Sequence, residues 1–119
     1  ISLYNKVKPP YNVSKPNQNA ALKALEDVAG FEKRKSTILG QRTWLQNQLA
    51  GLDVILKIYP SDANFLLVEM TDANRIYNEL VKQKVITRNR HSVVENCIRV
   101  TVGSPEENQI LVGALKKIL

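Results

Sequence analysis

The sequence predicts an α/β chain of the α+β, two-layer kind: a small, largely antiparallel sheet with helices packed on one face. Three observations predict it. Apolar residues recur at helical spacing near both ends, short β-like runs fill the middle, and the order of elements is helix, helix, strand, strand, helix, strand, strand, helix. There are no internal repeats and no low-complexity tracts.

The first 14 residues carry Lys6, Lys8, Pro9, Pro10 and Tyr11 without the period of a helix or a strand, and are read as a lead-in segment. Residues 15–119 are expected to form one domain, because 119 residues supply one core of ordinary size and not two. Ser14 is a plausible N-cap, and Pro16 stands in the first turn, where a missing N–H costs nothing. The helix that follows runs through Ala20, Ala21, Ala24, Leu25 and Val28, and Gly30 is expected to break or bend it. A second stretch from Phe31 to about Leu49 places Ile38, Leu45, Leu49 and Leu52 on one side, with Gly51 where a left-handed C-terminal residue is wanted.

Strands are then predicted over Asp53 to Tyr59, ended by Pro60, and over Asn64 to Met70. The second has a continuous apolar run that suits a central position. Thr71 or Asp72 caps a helix with Ile76, Tyr77, Leu80 and Val81 inward, and further strands are expected around Val85 to Arg88 and over Cys97 to Val102. After Gly103, the run Ser104-Pro105-Glu106-Glu107 is the clearest local signal in the chain: a capping box, a proline at the first helical position and acids at the positive helix end. That last helix continues through Ile110, Leu111, Ala114, Leu115 and Ile118.

Apolar residues at 44% and charged residues at 24% are the balance of a folded globular protein. No apolar run approaches the roughly 20 residues that cross a bilayer, and no basic-then-apolar leader opens the chain, so a cytoplasmic protein without membrane contact is expected. Cys97 is the single cysteine and His91 the single histidine, which leaves neither a disulfide nor a zinc-ligand set. The formal charge of +6 favours anionic partners. Because the chain opens on Ile1 and its one methionine is Met70, it is read as a piece of a longer protein.

Within the last strand, Ile98, Val100 and Val102 alternate with Arg99 and Thr101. A guanidinium in a short apolar strand calls for an anion, and arginine's planar fork suits carboxylate or phosphate. Two readings stay open: Arg99 meets a ligand anion, or it is paired with Glu69 or Asp62 or simply solvated. If the two last strands are antiparallel, Arg88 could converge with Arg99 on one anion. Arg90, His91, Lys6, Lys8 and the run Lys33-Arg34-Lys35 read as solvated charge, Trp44 and Tyr77 as packing residues, and Cys97 as an inert buried thiol.

Three stretches then carry a family resemblance: Tyr59-Pro60-Ser61-Asp62-Ala63-Asn64-Phe65-Leu66-Leu67-Val68, Val85-Ile86-Thr87-Arg88-Asn89-Arg90, and Ile98-Arg99-Val100-Thr101-Val102-Gly103-Ser104-Pro105-Glu106-Glu107-Asn108. In order and spacing they resemble the histidinol-phosphate aminotransferases, and Lys6 to Val13 is similar to the segment leading from that family's large domain into its small one. The resemblance covers essentially the whole chain. It implies the small domain of a fold-type I pyridoxal-phosphate enzyme, with transamination between histidinol phosphate/2-oxoglutarate and imidazole-acetol phosphate/glutamate. It also implies a homodimer as the full-length enzyme, a phosphorylated small-molecule substrate, and the large domain of the same enzyme as partner. Arg99 would grip the substrate anion and Arg88 would assist with the phosphate, while no lysine here lies in the family's Schiff-base motif. No catalytic or cofactor-binding residue is therefore assigned to this chain, and pyridoxal phosphate is not expected on it alone. The family often has an aspartate where this chain has Asn89.

The nearest alternative is a relative on the same fold, such as a threonine-phosphate decarboxylase or another amino-acid aminotransferase. A small basic nucleic-acid-binding module is disfavoured by dispersed basic residues, aromatics of only 6% and the lack of a recognition signature.

Overall fold

A computed structural model describes residues 13–118, so the expected lead-in lies outside the described residues except for Val13 and Ser14. The chain divides into two compact units, Ile1–Lys33 and Arg34–Leu119.

In the first unit, helix α1 (Lys15–Glu26) begins as the sequence predicts: Ser14 is the N-cap and its side chain accepts the Asn17 N–H. None of its residues is buried, and Leu22 and Leu25 are 60% and 76% exposed. The break that follows is at Asp27, not at Gly30. The Asp27 side chain accepts the Gly30 N–H at 2.9 Å and its carbonyl accepts the Phe31 N–H, so the carboxylate caps a new helix, α2 (Val28–Ala50). A Cβ at Gly30 would run into the Asp27 side chain, so a larger residue there displaces the capping carboxylate.

The second unit holds one antiparallel sheet of β1 (Ile55–Ile58), β2 (Phe65–Met70), β3 (Arg88–Asn89) and β4 (Cys97–Thr101), in the order β1-β2-β4-β3. Helices α3 (Ala73–Lys82) and α4 (Pro105–Lys116) complete it. Leu45 and Leu49 of α2, Leu66, Val68 and Met70 of β2, Ile76 and Leu80 of α3, Ile98 and Val100 of β4, and Leu111 and Leu115 of α4 form one buried cluster. These strand positions alternate along β2 and β4, so all three helices lie on the same face of the sheet, as expected. Each such side chain, fully buried, contributes about 1.5–3 kcal/mol.

Strand β2 is central, but its continuous apolar run hides an alternation of burial: Phe65, Leu67 and Glu69 are only half-buried. Their face carries no helix. Val81, expected inward, is 39% exposed on α3, while Ala73 takes an inner position beside Ile76 and Leu80.

Two turns depart from what glycine placement suggests. Gly51 is not left-handed; α2 ends in a tighter turn in which the Leu52 N–H donates to the Leu49 carbonyl, drawing Leu52 into the core. The left-handed helix terminator is Lys84, at φ 62° after α3. There the Lys84 N–H bonds to the Val81 carbonyl and the Val85 N–H to the Leu80 carbonyl, the double bond of a Schellman motif. The motif consumes the Val85 N–H, and β3 is accordingly confined to Arg88–Asn89 instead of beginning at Val85.

Candidate functional site

The helix-free face of the sheet is laid out by register. Tyr59, just past β1, donates its backbone N–H to Leu67; Leu67 is the Cα partner of Arg99; and Arg99 is the Cα partner of Arg88. These four residues form one row across the sheet. The adjacent row holds Lys57, Glu69 and Cys97, and a third pairs Phe65 with Thr101.

The structure thus brings Arg88 and Arg99 together, and Arg99 stands on the face its strand alternation predicted. Arg88 is exposed and Arg99 half-buried. The Arg99 guanidinium lies 5.1 Å from the centre of the Phe65 ring, and its Nε is buried without a hydrogen-bond partner. Among the described residues neither arginine has an ion pair. Glu69 is engaged elsewhere: its Oε2 accepts the Tyr59 hydroxyl at 3.0 Å. Like charges directly opposed across strands destabilise a sheet, and a buried unsatisfied donor costs about 1–3 kcal/mol. Such an arrangement suits an anion that satisfies both guanidinium groups.

Loop residues hold this row in place. Asn89 donates from its amide to Asn74 Oδ1 at 2.7 Å and accepts the His91 N–H at 2.8 Å, so it uses both ends of the amide. His91 accepts the Asn96 N–H through Nδ1 at 3.1 Å, and Asn96 takes a left-handed φ of 51° leading into β4. His91 is therefore a loop organiser and not simply a solvated charge. Cys97 is fully buried; burial pushes its thiol up, Glu69 adds to this, and Lys57 opposes it.

Sequence reasoning missed Tyr59 and Asn108. Asn108 is 2% exposed and makes three hydrogen bonds: Nδ2 donates to Gln41 Oε1 and to the Gly103 carbonyl, and Oδ1 accepts the Gly103 N–H. It ties α2 and α4 to the turn after β4. An asparagine in the first turn of an otherwise amphipathic helix was the available signal. The predicted capping box is present, with Glu107 accepting from Ser104 N and Ser104 Oγ accepting from Glu107 N. No described helix is long and apolar enough to cross a membrane, and no metal-ligating cluster occurs among the described residues.

An antiparallel sheet covered by helices on one face thus carries a directly paired Arg88 and Arg99 on the other. The family model for aminotransferase class I and II matches residues 1–115, and the chain belongs to that family. Within it, the chain is 45% identical over 118 residues to the histidinol-phosphate aminotransferase of Cytophaga hutchinsonii, and 43% identical over 121 residues to that of Flavobacterium psychrophilum. It is covered to 98% and 99% in these matches but spans only 34% of either relative. The fold matches the crystal structure of the histidinol-phosphate aminotransferase from Clostridium acetobutylicum with a TM-score of 0.87, at 20% identity, over 98% of this chain and 36% of that one.

Proposed function

We propose that the parent protein is a pyridoxal-phosphate-dependent histidinol-phosphate aminotransferase of histidine biosynthesis, acting as a homodimer in the cytoplasm. Residues 15–119 are its small domain, and Arg99 and Arg88 are its substrate-anion grip. The observation that carries this reading is the direct pairing of Arg88 with Arg99, with the Arg99 Nε buried and unsatisfied. A substrate phosphate or carboxylate bound there would receive two parallel hydrogen bonds from the Arg99 fork and a second positive charge from Arg88. Binding energy at that remote group orients the substrate, which is how such a clamp contributes to rate.

Pyridoxal phosphate supplies the electron sink of this chemistry when bound. The described residues do not fit it. Helix N-termini are ready phosphate seats, but here each is closed by its own side chain: Ser14 on α1, Asp27 on α2, Asp72 on α3, and Ser104 with Glu107 on α4. Lys57, on the open face, holds its Nζ 4.5 Å over the Tyr59 ring. This supports reading the cofactor site as part of the rest of the parent, and the exposed apolar residues of α1 suit a surface that the larger part covers.

The test is steady-state kinetics of the full-length protein with histidinol phosphate and with threonine phosphate. Preference for histidinol phosphate is expected, together with a KM raised about tenfold or more in Arg99→Ala, equivalent to about 1.4 kcal/mol of lost binding. An unchanged KM would remove Arg99 from the site, and a preference for threonine phosphate would assign the parent to a different reaction.

A further inference from the structure

The helix-free face poses a problem for the arginine pair. Glu69 is the one carboxylate within the described strands. It lies on that face, directly opposite Cys97, two residues along β4 from Arg99. Diagonal neighbours on one face of an antiparallel ladder lie within reach of long side chains, so Glu69 is placed to neutralise Arg99. It does not, because the Tyr59 hydroxyl holds its Oε2 at 3.0 Å.

We propose that Tyr59 is a positioning residue for the anion site: it restrains Glu69 on the β1 side of the sheet and so leaves the Arg99 fork open to a ligand anion. The proposal rests on the reading of Arg99 as an anion grip. It explains why a guanidinium with an acid two positions away keeps a buried, unsatisfied Nε. It also gives Glu69 a role, since a carboxylate beside the pair tempers the like-charge repulsion of Arg88 and Arg99 without occupying either fork. Lys57, the Cα partner of Glu69, is a poor substitute restraint, because its ammonium is already drawn over the Tyr59 ring at 4.5 Å. In Tyr59→Phe the ring and its hold on Lys57 remain, and only the hydroxyl that restrains Glu69 is lost.

The experiment is titration of this chain with inorganic phosphate, following the Arg99 Nε–H resonance by NMR, for the wild type, Tyr59→Phe, Glu69→Gln and the double variant. Glu69→Gln is expected to bind modestly more tightly than the wild type, because a negative charge beside the anion is gone. Tyr59→Phe is expected to bind about two- to fivefold more weakly, the range that one competing ion pair commands. The double variant should return to the Glu69→Gln value, a rescue that general damage to the fold would not allow. If the wild-type chain binds no phosphate at that resonance, the anion-grip reading falls and this proposal with it. If the wild type binds but Tyr59→Phe binds equally, or the double variant is not rescued, the anion grip stands and Tyr59 has no positioning role.

Discussion

Arg88 and Arg99 are direct partners across the β3–β4 ladder, and the half-buried Arg99 rests against Phe65 with its Nε unsatisfied. The pairing costs stability in the absence of an anion. A cost retained at one place in a well-packed unit is the usual mark of a binding site.

Replacing Arg99 should therefore separate stability from binding. Arg99→Leu removes both the unsatisfied donor and the like-charge pair, and is expected to raise unfolding stability by about 1 kcal/mol while abolishing phosphate binding. Urea unfolding of the two chains checks this; a less stable Leu variant would mean that Arg99 is a structural residue.

Two glycines should respond oppositely to alanine. A Cβ on Gly103 would fall 2.6 Å from Glu107 Oε2 and 2.9 Å from its Cβ, against the side chain that completes the α4 capping box. Gly103→Ala is expected to cost about 1 kcal/mol, the worth of a cap. Gly113 lies inside α4 with nothing within 4 Å of such a Cβ, so Gly113→Ala is expected to stabilise by about 0.5–1 kcal/mol. Thermal unfolding distinguishes the two.

Asn108 should be among the least replaceable polar residues of the second unit. Asn108→Leu strands the Gly103 N–H, the Gly103 carbonyl and Gln41 Oε1, for an expected loss of about 2–3 kcal/mol. Asn108→Asp sets a carboxylate against two acceptors, and its penalty should shrink once the pH falls below the carboxylate range. A penalty independent of pH would show that the lost donors, and not the new charge, dominate.

The Tyr59 hydroxyl is held above its ordinary value of 10.0, chiefly by its hydrogen bond to Glu69, with burial and the Glu69 charge acting the same way. Since the folded value is the higher one, the stability this group contributes is complete below pH 10 and is lost as pH rises through the folded value. In an ultraviolet titration, Glu69→Gln should let one tyrosine ionise earlier than in the wild type. Identical titration curves would mean that the hydrogen bond is not maintained in solution.

Much of this architecture is legible in the residues. The Ser14 and Ser104 caps, the Asp72 helix start, the alternation of β4 and the one-sided packing of helices follow from short-range rules, and the structure matches them. The family resemblance carried by Tyr59 to Val68, Val85 to Arg90 and Ile98 to Asn108 is matched by the relatives. The misplacements share a cause. Glycine's usual preferences point to Gly30 and Gly51, but a carboxylate such as Asp27 can restart a helix, a tight turn can end one without left-handed backbone, and packing of Val85 can impose a left-handed lysine at position 84.

By itself, then, the sequence determined the element order, the starts of α1, α3 and α4, the family and the face of β4 on which Arg99 stands, because each depends on residues a few positions apart. Only the tertiary structure decided that Arg88 opposes Arg99, that Tyr59 restrains Glu69, and that Asn108 joins α2 to the turn after β4. These relationships join residues 10, 11 and 67 positions apart. They depend on strand register and on which buried polar groups find partners, and the packed core settles both.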